Sequence, residues 1–259
     1  MQNKHKENNM LPKLMAANWK MYKTAAQARA CAEELCKLLP ATPAGREVLV
    51  CPPFTAIAAV AAVFAGKPGF LTGAQNLYPQ GEGAFTGEIS PEMLKEAGAR
   101  WVLTGHSERR SVLGESDAQV GVKTAFALAQ GLNVVLCIGE TLAQREAGQL
   151  KPVLERQLAA GLADVPPSCP PSCLAVAYEP VWAIGTGKVA GPGEILEAHA
   201  MVRALLREKQ GTGGDLRILY GGSVKPDNAS EIIRLDNVDG VLVGSASLQA
   251  ESFSRIVRA

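Results

Sequence analysis

The chain has 259 residues, 47% apolar and 20% charged, and its 26 Lys and Arg against 25 Asp and Glu leave a formal net charge of +1. A near-neutral, apolar-rich chain is neither disordered nor a polyanion binder, which sets nucleic acid aside, and this length suits one core in a single large domain such as an α/β barrel. The longest apolar run, residues 56–65, is about ten residues against the roughly 20 needed to cross a bilayer, so no membrane span is expected.

The first residues, MQNKHKENNM, carry charge with no apolar stretch behind them. They read as a flexible polar extension over residues 1–12 rather than a signal peptide, which leaves residues 13–259 as the catalytic domain and implies a cytoplasmic protein. Eight apolar, β-prone runs then recur, at 13–18, 47–51, 70–76, 100–105, 133–138, 174–179, 216–220 and 240–243. Amphipathic stretches at 25–39, 116–130, 153–162, 193–210, 227–235 and 246–258 predict helices between and after them. A doubly wound open sheet would show the same local alternation, but eight units favour a closed, single-domain (β/α)8 barrel. The proline pairs at 52–53, 166–167 and 170–171 fall at predicted turns, and no linker divides the chain. The six cysteines are scattered without zinc-type spacing, so thiols are the simpler expectation; Cys169 and Cys173 could pair, closing only a tiny loop.

Polar or glycine-rich clusters follow the C-terminal ends of the strands, the end that carries chemistry in such a barrel. Glu179 ends an apolar run and precedes Pro180, so a carboxylate projects from a rigid strand; burial there would raise its pKa toward neutrality, as a base needs. Taken alone, an ordinary ion pair fits it as well. His106 stands before Ser107-Glu108-Arg109-Arg110, the first turn of a short helix whose positive end would keep the imidazole neutral, although a core histidine would look the same. Lys20, just past Asn18-Trp19, is placed to offset oxyanion charge, and any surface lysine would also fit.

Two glycine-bearing turns, YGGSV (220–224) and VGSAS (243–247), follow the last two strands and could cradle a phosphate on backbone N–H groups; neither is a Walker A motif. PVWAIGTGK (180–188) reads as a lid with a rigid apolar tip, and the long loop 77–87 as a protrusion whose Phe85-Thr86 end could enter a neighbouring subunit.

NWK (18–20), GAFTGEIS (83–90), GHSERR (105–110), CIGE (137–140), AYEPVWAIGTGK (177–188) and YGGSV stand in order and with family spacing, and from residue 13 onward the chain resembles the triosephosphate isomerases. The resemblance implies a (β/α)8 barrel that interconverts dihydroxyacetone phosphate and D-glyceraldehyde 3-phosphate through an enediol(ate), in glycolysis and gluconeogenesis. It implies Glu179 as the base, His106 as the neutral electrophile, and Lys20 and Asn18 beside them with Glu108 behind. Gly185, Ser223, Gly244 and Ser245 would hold the phosphate. Thr86 would insert beside the partner's Asn18 and Lys20 in a homodimer, and no metal or organic cofactor is implied. Three departures stand out: Ser245 replaces the family's second glycine, the lid's far end reads Lys188-Val189-Ala190-Gly191, and the N-terminal extension has no family role. A phosphosugar aldolase, which would need a Schiff-base lysine inside a strand, and a non-catalytic phospholigand binder are the rival readings.

Overall fold

Short runs dominated by Val, Leu, Ala and Ile are stiff and apolar on both faces, which suits strands covered on each side, and eight of them form parallel strands. In the computed structural model, which describes residues 11–184, 190–208 and 215–259, these are β1 (Lys13–Asn18), β2 (Arg46–Cys51), β3 (Phe70–Ala74), β4 (Trp101–Thr104), β5 (Asn133–Ile138), β6 (Leu174–Tyr178), β7 (Arg217–Tyr220) and β8 (Gly240–Val243). Each pairs with the next, and β8 returns to β1 with Leu14 opposite Gly240 and Ala17 opposite Val243, closing the barrel. Most of the expected extension, and Gly185, Lys188 and Val189 of the expected lid, lie outside the described residues.

The period-2 alternation of strand side chains divides the core in two. Leu14, Ala16, Leu49, Leu103, Val135, Ala175 and Leu219 fill the barrel interior. Met15, Ala17, Val48, Val50, Val134 and Val176 face outward against the helices, and each fully buried Val or Met side chain contributes about 2 kcal/mol. At the floor, Arg217 bonds Glu47 at 2.7 Å and lies over the Trp101 ring at 5.2 Å, capping the inner core.

The α-helices among the described residues are α1 (Ala25–Leu38), α2 (Ile57–Phe64), α3 (Pro91–Glu96), α4 (Ser107–Ser111), α5 (Asp117–Ala129), α6 (Leu142–Glu146), α7 (Leu150–Gly161), α8 (Pro192–Glu208), α9 (Ala229–Ile233) and α10 (Ala250–Arg258). The expected ends shift where side chains cap. Ser116 is the N-cap of α5, its hydroxyl accepting from Gln119 N–H. α7 starts earlier than expected because Pro152 fits its first turn. The 246–258 helix divides into a 3₁₀ turn at Ser245–Ser247 and α10. The 56–65 apolar run holds α2, whose Ile57, Val60 and Phe64 are buried at helical spacing. Among the described residues no helix is long and apolar enough to cross a membrane.

His199 of α8 is fully buried, its Nδ1 2.8 Å from the Asn237 carbonyl and its ring beside Tyr178 and Tyr220. Burial pushes its pKa down from 6.5 to about 4. The unfolded chain therefore binds more protons across that window, so stability falls as pH drops from 6.5 toward 4, by about 3 kcal/mol for such a shift. Urea unfolding at about pH 7 and pH 4.5 should show a steeper acid loss in the parent than in His199→Gln; equal losses would remove His199 as the cause.

Candidate active site

The C-terminal mouth of the barrel holds a cavity of about 250 Å³ lined by Asn18, Lys20, His106, Glu108, Glu179, Ser223, Gly244 and Ser245, among others. Each is held there by the strand it follows. Glu179 extends β6: its N–H donates to the Ile138 carbonyl at 2.7 Å, and the next residue is proline, so the chain leaves the sheet with the carboxylate turned into the mouth. Gly139 and Gly221 make room for it from either side. A Cβ on Gly139 would stand 1.7 Å from the Glu179 carbonyl oxygen, and one on Gly221 2.8 Å from Glu179 Cγ.

Glu179 is 2% exposed, and both of its oxygens are engaged. Oε2 accepts the Ser107 N–H at 2.8 Å, and Oε1 lies 3.0 Å from His106 Nε2. His106 caps α4, and its Nδ1 accepts the Glu108 N–H at 3.3 Å. With a donor facing Nδ1, the ring proton sits on Nε2 and points at Glu179. The pair shifts both groups. Burial raises Glu179, but His106, the Ser107 N–H and Lys20 outweigh it, and its pKa is lowered. Burial lowers His106, yet the Glu179 and Glu108 carboxylates outweigh that, and its pKa is raised. The sequence-based expectation of a carboxylate raised toward neutrality is thus corrected, and the helix end expected to keep His106 neutral is opposed by two carboxylates, because Glu179 and His106 bond each other.

Lys20 takes a left-handed backbone conformation, φ 51°, that few side-chain-bearing residues adopt. It is pinned from both sides, its N–H donating to Asn18 Oδ1 at 2.9 Å and its carbonyl accepting from Gln75 Nε2 at 2.8 Å. Its ammonium meets Glu108 at 2.6 Å, and its stem runs past Gly244, where a Cβ would come within 3.3 Å of Lys20 Cε. Ser223 donates its hydroxyl to the Ala183 carbonyl at 2.9 Å, joining the turn after β7 to the segment after β6. Ser245 opens its 3₁₀ turn with an exposed side chain. Thr86 is exposed on the 77–87 loop, away from this cavity, where Phe85 stacks on Tyr78 with ring centres 4.6 Å apart.

The matching family model is that of triosephosphate isomerase, over residues 13–259. This chain belongs to the triosephosphate isomerase family. It is 66% identical over 250 residues to the triosephosphate isomerase of Oleidesulfovibrio alaskensis, covering 96% of this chain and 100% of that one. With the Chloroflexus aurantiacus triosephosphate isomerase it shares 52% identity over 246 residues, 94% of this chain and 97% of the relative. The crystal structure of triosephosphate isomerase from Bartonella henselae superposes with a TM-score of 0.85 at 37% identity, over 95% of this chain and 98% of that one.

Several residues that shape this triosephosphate isomerase family site escaped sequence reasoning. Ser107 acts through its backbone N–H, which no side-chain pattern reveals, and Gln75 through a contact to Lys20 across strands. Glu140 is fully buried and accepts from Tyr178 Oη at 3.0 Å and Trp182 Nε1 at 2.8 Å. Burial raises its pKa against the pull of these donors. Of the apolar tip expected for the lid, Trp182 and Ala183 are buried and Ile184 half-buried, because a buried carboxylate accepts the indole N–H. The CIGE motif carried the signal, an acidic residue two positions past the apolar β5 run.

Proposed function

We propose that this chain interconverts dihydroxyacetone phosphate and D-glyceraldehyde 3-phosphate by proton transfer between C1 and C2 through an enediolate, in the cytoplasm, as a step of glycolysis and gluconeogenesis. The observation that carries the assignment of roles is the Glu179–His106 pair at 3.0 Å, facing the Lys20 ammonium across one small cavity. A substrate carbonyl that takes the His106 Nε2 proton must displace Glu179 from it. Displacement strips the carboxylate of the partner that lowers its pKa while leaving it buried, so its basicity rises where a carbon acid must be deprotonated. Glu179 then takes the proton from one carbon and returns it to the other. His106 donates to the developing oxyanion, and Lys20 offsets its charge with Asn18 and Glu108 holding its position.

Ser223 and the Gly244–Ser245 backbone, with Gly185 of the lid, are assigned to the phosphate. They hold it away from the orbital alignment that would expel it from the enediolate. An aldolase reading is disfavoured, since the one lysine carried by a described strand, Lys13, reaches the Ile233 carbonyl at 3.0 Å at the opposite end of the barrel. The chain is further assigned as a homodimer in which Thr86 lies beside the partner's Lys20. Met21 at 94% and Val112 at 77% exposure, apolar side chains at the same end of the barrel, support a covered face.

The deciding experiment is steady-state isomerisation of glyceraldehyde 3-phosphate by purified protein beside Glu179→Gln, with sedimentation velocity on both. Fast turnover that collapses in the variant, in a particle twice the 27.2 kDa chain mass, is the expected result. A folded parent without turnover would overturn the assignment in favour of a phospholigand binder.

A further inference from the structure

The turn between α7 and β6, at the floor of the barrel, carries two cysteines that the isomerisation does not use. In CPPSC, Cys169 N–H donates to the Pro166 carbonyl and Cys173 N–H to the Pro170 carbonyl, each at 2.9 Å. Two successive reverse turns thus each end on a cysteine, and one atom links them: the Pro170 carbonyl oxygen that accepts Cys173 N–H lies 3.8 Å from Cys169 Sγ. Four prolines, Pro166, Pro167, Pro170 and Pro171, limit the chain's other conformations.

Cys173 is anchored, its carbonyl accepting Val134 N–H at 2.9 Å, and the Ser172 carbonyl accepts from Arg217 Nη2 at 3.4 Å. Both cysteines are thiols, and both are half-buried. Cys31, Cys51 and Cys137 are buried instead, and Cys36 lies apart on α1.

We propose that Cys169 and Cys173 form a reversible dithiol site that hydrogen peroxide or a related small peroxide oxidises to an intraturn disulfide. Cys173 attacks first, because Cys169 packs against the core and burial, together with the neighbouring Cys173 charge, raises its pKa. The Cys173 thiolate attacks one peroxide oxygen and the O–O bond breaks. The sulfur becomes a sulfenic acid, and the departing oxygen leaves as water after taking the proton that the thiol gave up. Cys169, as thiolate, then attacks the Cys173 sulfur and expels its oxygen, which leaves as a second water. Two thiols lose two electrons and two protons, and the peroxide gains them. A ring enclosing so few residues gains little from loop closure, so physiological thiols reopen it.

The site lies at the opposite end of the barrel from the cavity, so oxidation should leave turnover unchanged. The test treats the parent protein with a few equivalents of hydrogen peroxide, blocks remaining thiols with iodoacetamide and reads the tryptic peptide 157–188, which holds both cysteines. The expected peptide is two hydrogens lighter than the dithiol, carries no alkyl group, and regains both sites after dithiothreitol. Cys169→Ser and Cys173→Ser should each abolish that mass loss while Cys36→Ser keeps it. Alkylation of both cysteines after peroxide, sulfinic acid at either, or a cross-link to another cysteine would each overturn the proposal.

Discussion

Glu179→Asp is expected to fold as the parent does and to lose about 100-fold in kcat, since withdrawing a catalytic group by about 1 Å costs on this order. The side chain loses one methylene, so neither the 2.8 Å contact to Ser107 N–H nor the 3.0 Å contact to His106 keeps its length. The shorter carboxylate also approaches the substrate carbon from farther back. The groups assigned to phosphate sit on other strands, so KM should move far less than kcat, which marks an interaction made chiefly in the transition state. Steady-state kinetics in both directions, with thermal unfolding to confirm the fold, checks this. Turnover near that of the parent would remove Glu179 from the role of base.

Gly139→Ala is expected to be the most damaging small substitution near the site, destabilising by about 3 kcal/mol or more because the contact is with backbone rather than a movable side chain. The added methyl would stand 1.7 Å from the Glu179 carbonyl oxygen and 2.7 Å from its carbon, so β5 and β6 must part where Glu179 leaves the sheet. Activity should fall with stability, because the displaced atoms belong to Glu179, the residue proposed as the base. Gly81→Ala, where nothing lies within 4 Å of the new carbon, should change stability by no more than about 0.5 kcal/mol. Urea midpoints of the two variants measure the contrast, and a Gly139→Ala midpoint equal to that of Gly81→Ala would refute the steric account.

What was legible in the chain follows the range of the forces involved. β1, β5 and β8 begin and end where the apolar runs do, because burial on both faces is written residue by residue. β3 stops at Ala74, before the expected end, because Gln75 turns out to reach the Lys20 and Cys51 carbonyls, a contact between distant segments. The positions of Asn18, Lys20, His106 and Glu179 could be read because each ends or follows a strand, and strand ends meet at one mouth. Their charge states could not. Burial alone points Glu179 upward, and partners from other strand ends, chiefly the His106 imidazole 73 residues earlier in the chain by 179 − 106, reverse the direction. The inward packing of Trp182 likewise depends on Glu140, a residue of a different strand end.

The Glu108 N–H that occupies His106 Nδ1 has a consequence for isotopes. A ring whose second nitrogen is committed to the backbone has one port: every hydrogen that the imidazole gives or receives passes through Nε2, the nitrogen facing Glu179 and the cavity. No label can drain through the back of the ring into the protein. Deuterium that Glu179 takes from substrate carbon and passes to the ring can therefore reach bulk water only through Nε2 and the mouth, so the share kept in product reports exchange on that side alone.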